Sequence, residues 1–238
     1  MKSLLSFLLI IAFICSAQAK RMEVLFLGDE GHHRPAERIP QIMAGLGPRG
    51  INFTYTADPD CLHDGTLKNY DALMIYANIG KITEEQEKGI LDYVYGGGAF
   101  LPIHCASYCF LNSMQYVKLV GAQFKSHGTG TFSTKIEKPD HPIMKGFEGF
   151  ETWDETYVHH KGTEDRNVLQ TREGEPWTWT REPGKGRVFY TAYGHDQRTW
   201  SNPGFHDLVY RGLLWAIGEK NSKAFLSTTL PKLVRRDG

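Results

Sequence analysis

The chain has little cysteine, no net charge and, past its first twenty residues, no apolar run of the roughly 18 residues that a membrane span needs. Its four cysteines are Cys15, Cys61, Cys105 and Cys109. Past the first twenty residues three remain, an odd number with no second pair at metal-ligand spacing. That argues against a disulfide framework and against a cysteine-built zinc site, and reads Cys105 and Cys109 as buried free thiols. Lysine plus arginine and aspartate plus glutamate stand at 27 each. Such a balance lacks the clustered positive charge on which binding to nucleic acid or anionic membrane rests. There is also no internal repeat and no low-complexity linker, which excludes a solenoid or a string of modules.

What is present begins with an address. Lys2, an apolar stretch over residues 4–14 and Ala17-Gln18-Ala19 read as a secretory signal over residues 1–19, so the product is expected to be exported, periplasmic or secreted. Residues 20–219 are then expected to form one large domain and the basic residues 220–238 a tail. Apolar strands are predicted over 23–27, 51–56, 71–76 and 99–103. Between them lie a helix opened by Pro35 and a second helix running to Tyr95, begun by the capping box Thr83 to Gln86. Strands alternating with helices predict a mostly parallel sheet covered on both faces. After about Val120 the pattern changes to short strands over 132–137, 156–159, 168–171, 177–180 and 187–191, read as antiparallel or mixed, before a closing helix over 203–217.

The segment Gly96-Gly97-Gly98 through Ile103-His104-Cys105 reads as a buried strand stopping at a histidine, with a helix expected after it. In open α/β sheets the ligand crevice lies at the carboxyl ends of the strands, which makes His104 a site candidate. Asp154 and Glu155 are neighbours on a strand, so only one of them faces a cleft, and Glu155 is the choice. Trp177 and Trp179, two apart, share a face suited either to core packing or to stacking on a sugar ring. His32, His104, His127 and His195 lie in separate segments that can converge into a site for zinc or a similar divalent ion.

Residues 28–35 with His32 and His33, the glycine run to His104, Asp140-His141-Pro142-Ile143, Asp154-Glu155-Thr156-Tyr157 and Tyr193-Gly194-His195-Asp196 resemble, in this order, the ThuA-like family named for trehalose utilisation. The resemblance implies a flavodoxin-like doubly wound α/β fold similar to class I glutamine amidotransferases. His104 stands where that superfamily presents its cysteine, which argues against glutamine hydrolysis, while His195 resembles its catalytic histidine. The family's association with disaccharides and with sugar oxidoreductases implies action on an oxidised, 3-keto disaccharide or glycoside by a lyase or hydrolase. His104 would act as base or acid, His195 as its partner and Glu155 as the orienting carboxylate, with His32, His33, Asp154, Tyr157, Trp177 and Asp196 contacting substrate. The competing expectation is a non-catalytic carbohydrate-binding or partner-docking module. Either is compatible with a homodimer.

Overall fold

The structure, a computed structural model, describes residues 21–218 and 233–236. The expected signal over residues 1–19 and most of the expected tail lie outside them. Strand β1 (Met22–Leu27), helix α1 (Pro35–Leu46), β2 (Ile51–Thr56), the short α2 (Asp64–Leu67), β3 (Ala72–Ile75), α3 (Glu84–Tyr95) and β4 (Ala99–Pro102) alternate as the periodicity predicts. β3 and β4 are buried at every position, which is why they read as unbroken apolar runs rather than alternating ones. α3 starts at the Thr83 to Gln86 capping box, both of whose reciprocal hydrogen bonds are made.

Beyond β4 the chain departs from expectation. No α-helix follows His104. Residues His104–Tyr108 form a 3-10 turn, and α4 (Met114–Val120) begins only later. The break falls at Phe110, whose φ is 53°. Its fully buried ring packs edge-on against Tyr116 at 4.9 Å, so anchoring the ring is favoured over continuing a helix.

Then come β5 (Gln123–Ser133), β6 (Lys135–Ile136), β7 (Glu151–His160), β8 (Asn167–Arg172), β9 (Glu175–Arg181) and β10 (Arg187–Thr191). Helices α5 (Gln197–Trp200) and α6 (Pro203–Ile217) follow, and β11 (Leu233–Arg236) is last. One sheet has the order β11-β2-β1-β3-β4-β10-β9-β8-β6. It is parallel from β11 to β10 and antiparallel from β10 to β6. This is a flavodoxin-like order extended by antiparallel strands. Helices α1 and α6 pack together, as do α3 with α2 and α4. Part of the expected basic tail is strand β11, paired along the edge of β2.

The second departure matters more for function. β5 and β7 leave the sheet and form a separate antiparallel ribbon, Gln123 opposite His160 through Ser133 opposite Glu151. The ribbon starts nine residues before the strand expected at residue 132. β5 is exposed over most of its length and contains Gly128 and Gly130, so it carries no apolar alternation.

Candidate functional site

The carboxyl ends of β1, β4 and β10 open on one crevice, and the segment after each supplies an imidazole: His33, His104 and His195. This is where doubly wound sheets hold ligands. His104 sits on the strand-to-turn corner at a φ of 47°, a left-handed conformation that costs a non-glycine residue about 1–3 kcal/mol. Several contacts hold it there. Its Nδ1 lies 2.6 Å from the carbonyl of Ala192, its own carbonyl accepts from Ser107 Oγ at 3.0 Å and lies 3.1 Å from the Tyr190 hydroxyl, and its ring stacks on Tyr157 at 4.0 Å. Gly194, at a φ of 135°, completes the corner. A Cβ there would meet His104 Cβ at 3.2 Å, so glycine lets the loop after β10 lie against the histidine.

The ribbon contributes Glu155. Its Oε2 is 3.2 Å from His104 Nε2, and its Oε1 is 3.2 Å from His195 Nδ1 and 3.5 Å from His127 Nδ1. Because a carbonyl fixes the proton of His104 on Nδ1, the Nε2 atom is the one presented to the cluster. Burial opposes ionisation of Glu155, but hydrogen bonding and charge from His104 and His195 outweigh it and hold the carboxyl well below the usual range. The same carboxylate raises the pKa of His195 against the effect of burial.

His33 is the anomaly. It is 3 % exposed, its ring lies 5.4 Å from that of His104 and 5.3 Å from that of His195, and neither of its nitrogens has a hydrogen-bond partner. Burial, reinforced by the neighbouring imidazoles, pushes its pKa down to about 2. His33 is thus a neutral imidazole with a free lone pair, and a buried polar group left this way calls for a ligand. One donor atom from each of His33, His104, Glu155 and His195 lies within 4.8 Å of the others.

The neighbouring carboxylate has a different fate. Asp154 is wholly buried; its Oδ2 accepts from Gly194 N and Thr199 Oγ1, both at 2.8 Å, and its Oδ1 from the N–H groups of His195 and Asp196 at 3.0 and 3.1 Å. The expectation that Asp154 contacts substrate is therefore corrected: its acceptor capacity is spent on tying the His195 loop to the ribbon. Trp177 is corrected too. It has no exposed surface and packs edge-on against Phe132 and Tyr193, and Trp179 is equally buried. Neither offers a face to a sugar.

Of the expected metal ligands, His104 and His195 belong to the cluster. His32 does not: it is exposed, with its ring 6.3 Å from that of His195, and its neighbour His33 takes the inner position. His127 is exposed at the rim. Tyr157 is buried under His104, and Asp196, half-buried, caps α5 and pairs with Arg198. Cys105 and Cys109 are buried free thiols, and burial raises the pKa of each. A thiol raised in this way gives no nucleophile at neutral pH.

Residues 23–216, which contain every member of this cluster, match the family model of ThuA, trehalose utilisation. The chain belongs to the ThuA family. Two solved ThuA-like proteins share the fold. That of Bacteroides uniformis has a TM-score of 0.70 at 17 % identity over 83 % of this chain and 91 % of its own. That of Parabacteroides merdae has a TM-score of 0.69 at 19 % identity over 83 % and 90 %. The cold-adapted β-galactosidase of Rahnella sp. R3 is similar at a TM-score of 0.61 and 16 % identity, over 82 % of this chain but only 31 % of its own. No curated protein matches the chain. Membership gives this ThuA chain a carbohydrate-related role, and among the described residues no helix is long and apolar enough to cross a membrane.

Two site features escaped the sequence. His33 was expected to touch substrate, not to join the cluster of His104, Glu155 and His195; the pair His32-His33 leaves open which ring turns inward. Trp153 was missed altogether, although Trp153, Glu155 and Tyr157 alternate along one strand and so share a face.

Proposed function

We propose that this ThuA protein is an exported enzyme that acts on oxidised, 3-keto disaccharides or glycosides, and that His33, His104, His195 and Glu155 hold a divalent ion of the zinc type. The observation that carries the reading is the unpartnered, buried His33 facing two further imidazoles and a carboxylate. Three imidazoles with one carboxylate are a donor set for zinc and similar ions. His104 adds a supporting detail, since a ligating histidine characteristically donates its other N–H to a carbonyl, as Nδ1 does here to Ala192. When bound, such an ion would supply a Lewis acid that polarises the ketone oxygen.

The chain's own residues do the rest. A ketone at C3 acidifies the C2–H bond. A base takes that proton, its electron pair becomes the C1–C2 double bond, and the glycosidic oxygen leaves C1 with the bonding pair and receives a proton. His104 has no exposed surface, so its part is to hold. The imidazoles open to an incoming sugar are His127, with Nδ1 3.5 Å from Glu155, and His32, and imidazole is suited to proton transfer near neutrality. His127 takes the C2 proton in this scheme and His32 serves the leaving oxygen. Export rests on the leader-like residues 1–19, and a sugar oxidoreductase is the class of partner that would supply the ketone.

Product analysis by NMR with 3-ketotrehalose checks the reading. An unsaturated keto sugar and free glucose are expected, lost with chelator and reduced at least a hundredfold in Glu155→Gln. Absence of any product across a panel of 3-ketoglycosides, with the protein folded and metal-loaded, would refute it.

A further inference from the structure

The ribbon face that carries Glu155 continues outward past the cluster. On β7, Trp153, Glu155 and Tyr157 point the same way; opposite them on β5 stand Thr131, Thr129 and His127. Successive same-face positions on a strand are roughly 6.5–7 Å apart. Trp153 is half-buried, whereas Thr129, Thr131 and His127 are exposed, so this row is open to solvent on the β5 side. At its outer end the Arg198 guanidinium lies 4.0 Å from the centre of the Trp153 ring. Arg198 is fixed there by Asp196, through Nε to Oδ1 at 2.6 Å and Nη2 to Oδ2 at 3.1 Å. Asp196 is in turn fixed as the cap of α5, one residue after His195.

Of the other tryptophans, Trp177 and Trp179 on the sheet and Trp200 on α5 have no exposed surface, and the half-buried Trp215 on α6 lies beside Arg187 and His141. Trp153 instead joins an indole face, an Asp–Arg pair and two threonine hydroxyls within one residue repeat of the catalytic carboxylate. The guanidinium covers one face of the indole, and the exposed outer side of this Arg–Trp stack, with threonine hydroxyls on the facing strand, suits a sugar ring, which packs on the flat stack while its hydroxyls bond the polar groups. A charge-paired guanidinium held over an indole is also positioned before the ligand arrives, which lowers the ordering cost of binding.

We infer that Trp153, Asp196 and Arg198, with Thr129 and Thr131, form a second subsite that binds the other ring of a two-ring substrate while the reacting ring lies at Glu155. The inference rests on the carbohydrate reading of the site and adds that the substrate is a disaccharide, not a simple alkyl glycoside. Trp153 and Arg198 then set specificity rather than chemistry. The reacting ring meets Glu155 and the histidines whichever residue stands at position 153.

The test is calorimetric binding to the metal-loaded protein of 3-ketotrehalose and of methyl 3-keto-α-glucoside, repeated with Trp153→Ala, Trp153→Phe and Arg198→Ala. The wild type is expected to bind the two-ring ligand at least tenfold more tightly. Trp153→Ala and Arg198→Ala should bring it down to the one-ring affinity without changing the latter, and Trp153→Phe should recover part of the difference. Equal binding of the two ligands by the wild type, or equal loss of both in Trp153→Ala with an unchanged melting temperature, would overturn the subsite and leave the carbohydrate reading standing. Failure of both ligands to bind the wild type would overturn both readings.

Discussion

The central sheet and the β5–β7 ribbon contribute to the same site by opposite means. The sheet supplies rigid corners: His33, His104 and His195 follow strands buried on both faces, and their positions are set by the core. The ribbon is open, exposed along most of β5, yet it carries the carboxylate that joins the imidazoles and the tryptophan beside it. A parallel sheet can place groups only along its carboxyl edge. A ribbon folded over that edge adds a second wall, so ligands meet two surfaces with separate tolerance to change.

The largest expected contrast lies between two tryptophans. Trp177→Ala opens a cavity in the antiparallel part of the sheet and should cost about 3–5 kcal/mol, measured by denaturant unfolding. Trp153→Ala, on the open face, should cost less than about 1 kcal/mol. Equal losses would break the distinction between core and ribbon.

The paired carboxylates sharpen it next. Asp154→Asn replaces an acceptor of five hydrogen bonds, the fifth from the neighbouring Glu155 N–H, with a group that brings its own donors. It should destabilise the fold by roughly 2–3 kcal/mol. Glu155→Gln removes charge from a position whose partners are the imidazoles, so its melting temperature should change little while metal affinity falls. The reverse pattern would mean that the two neighbours have been assigned the wrong way round.

The smallest effect is in pH. His33 in the fold has its pKa lowered to about 2, against about 6.5 in the unfolded chain. The unfolded state therefore binds more protons between those values. The contribution of neutral His33 is complete above about pH 6.5 and is lost as pH falls toward 2, amounting to roughly 2 kcal/mol by pH 5. In chelator-treated protein, His33→Asn should melt with a shallower dependence between pH 7 and 5 than the wild type. An identical slope would show that His33 takes up a proton as freely in the fold as outside it.

How far the sequence could be read follows the same division. Strands β1 to β4 and helices α1, α3 and α6 were legible because burial on a sheet or a helix face imposes a period. His104 was legible as the residue that ends an apolar run, and Glu155 as the cleft-facing member of an adjacent pair. Of the ribbon, β7 was legible over residues 156–159, but β5 before residue 132 was not, because an exposed strand with glycines at 128 and 130 has no burial to record. That hid Trp153 and left Trp177, whose i,i+2 relation to Trp179 looked like a platform, as the more visible candidate. The choice between His32 and His33 is made by the turn from Gly28 to Arg34, where Arg34 adopts a φ of 52°, and no periodicity reports it.

The most direct test of the account is the metal content of chelator-stripped protein after equilibration with zinc and removal of excess, measured by mass spectrometry for the wild type and for His33→Ala. The account predicts one tightly held ion per wild-type chain and a loss of at least tenfold in affinity in the variant, with the fold intact. A wild-type chain that retains no ion, or a His33→Ala chain that retains it equally well, would contradict the reading of this cluster as a metal-holding catalytic site.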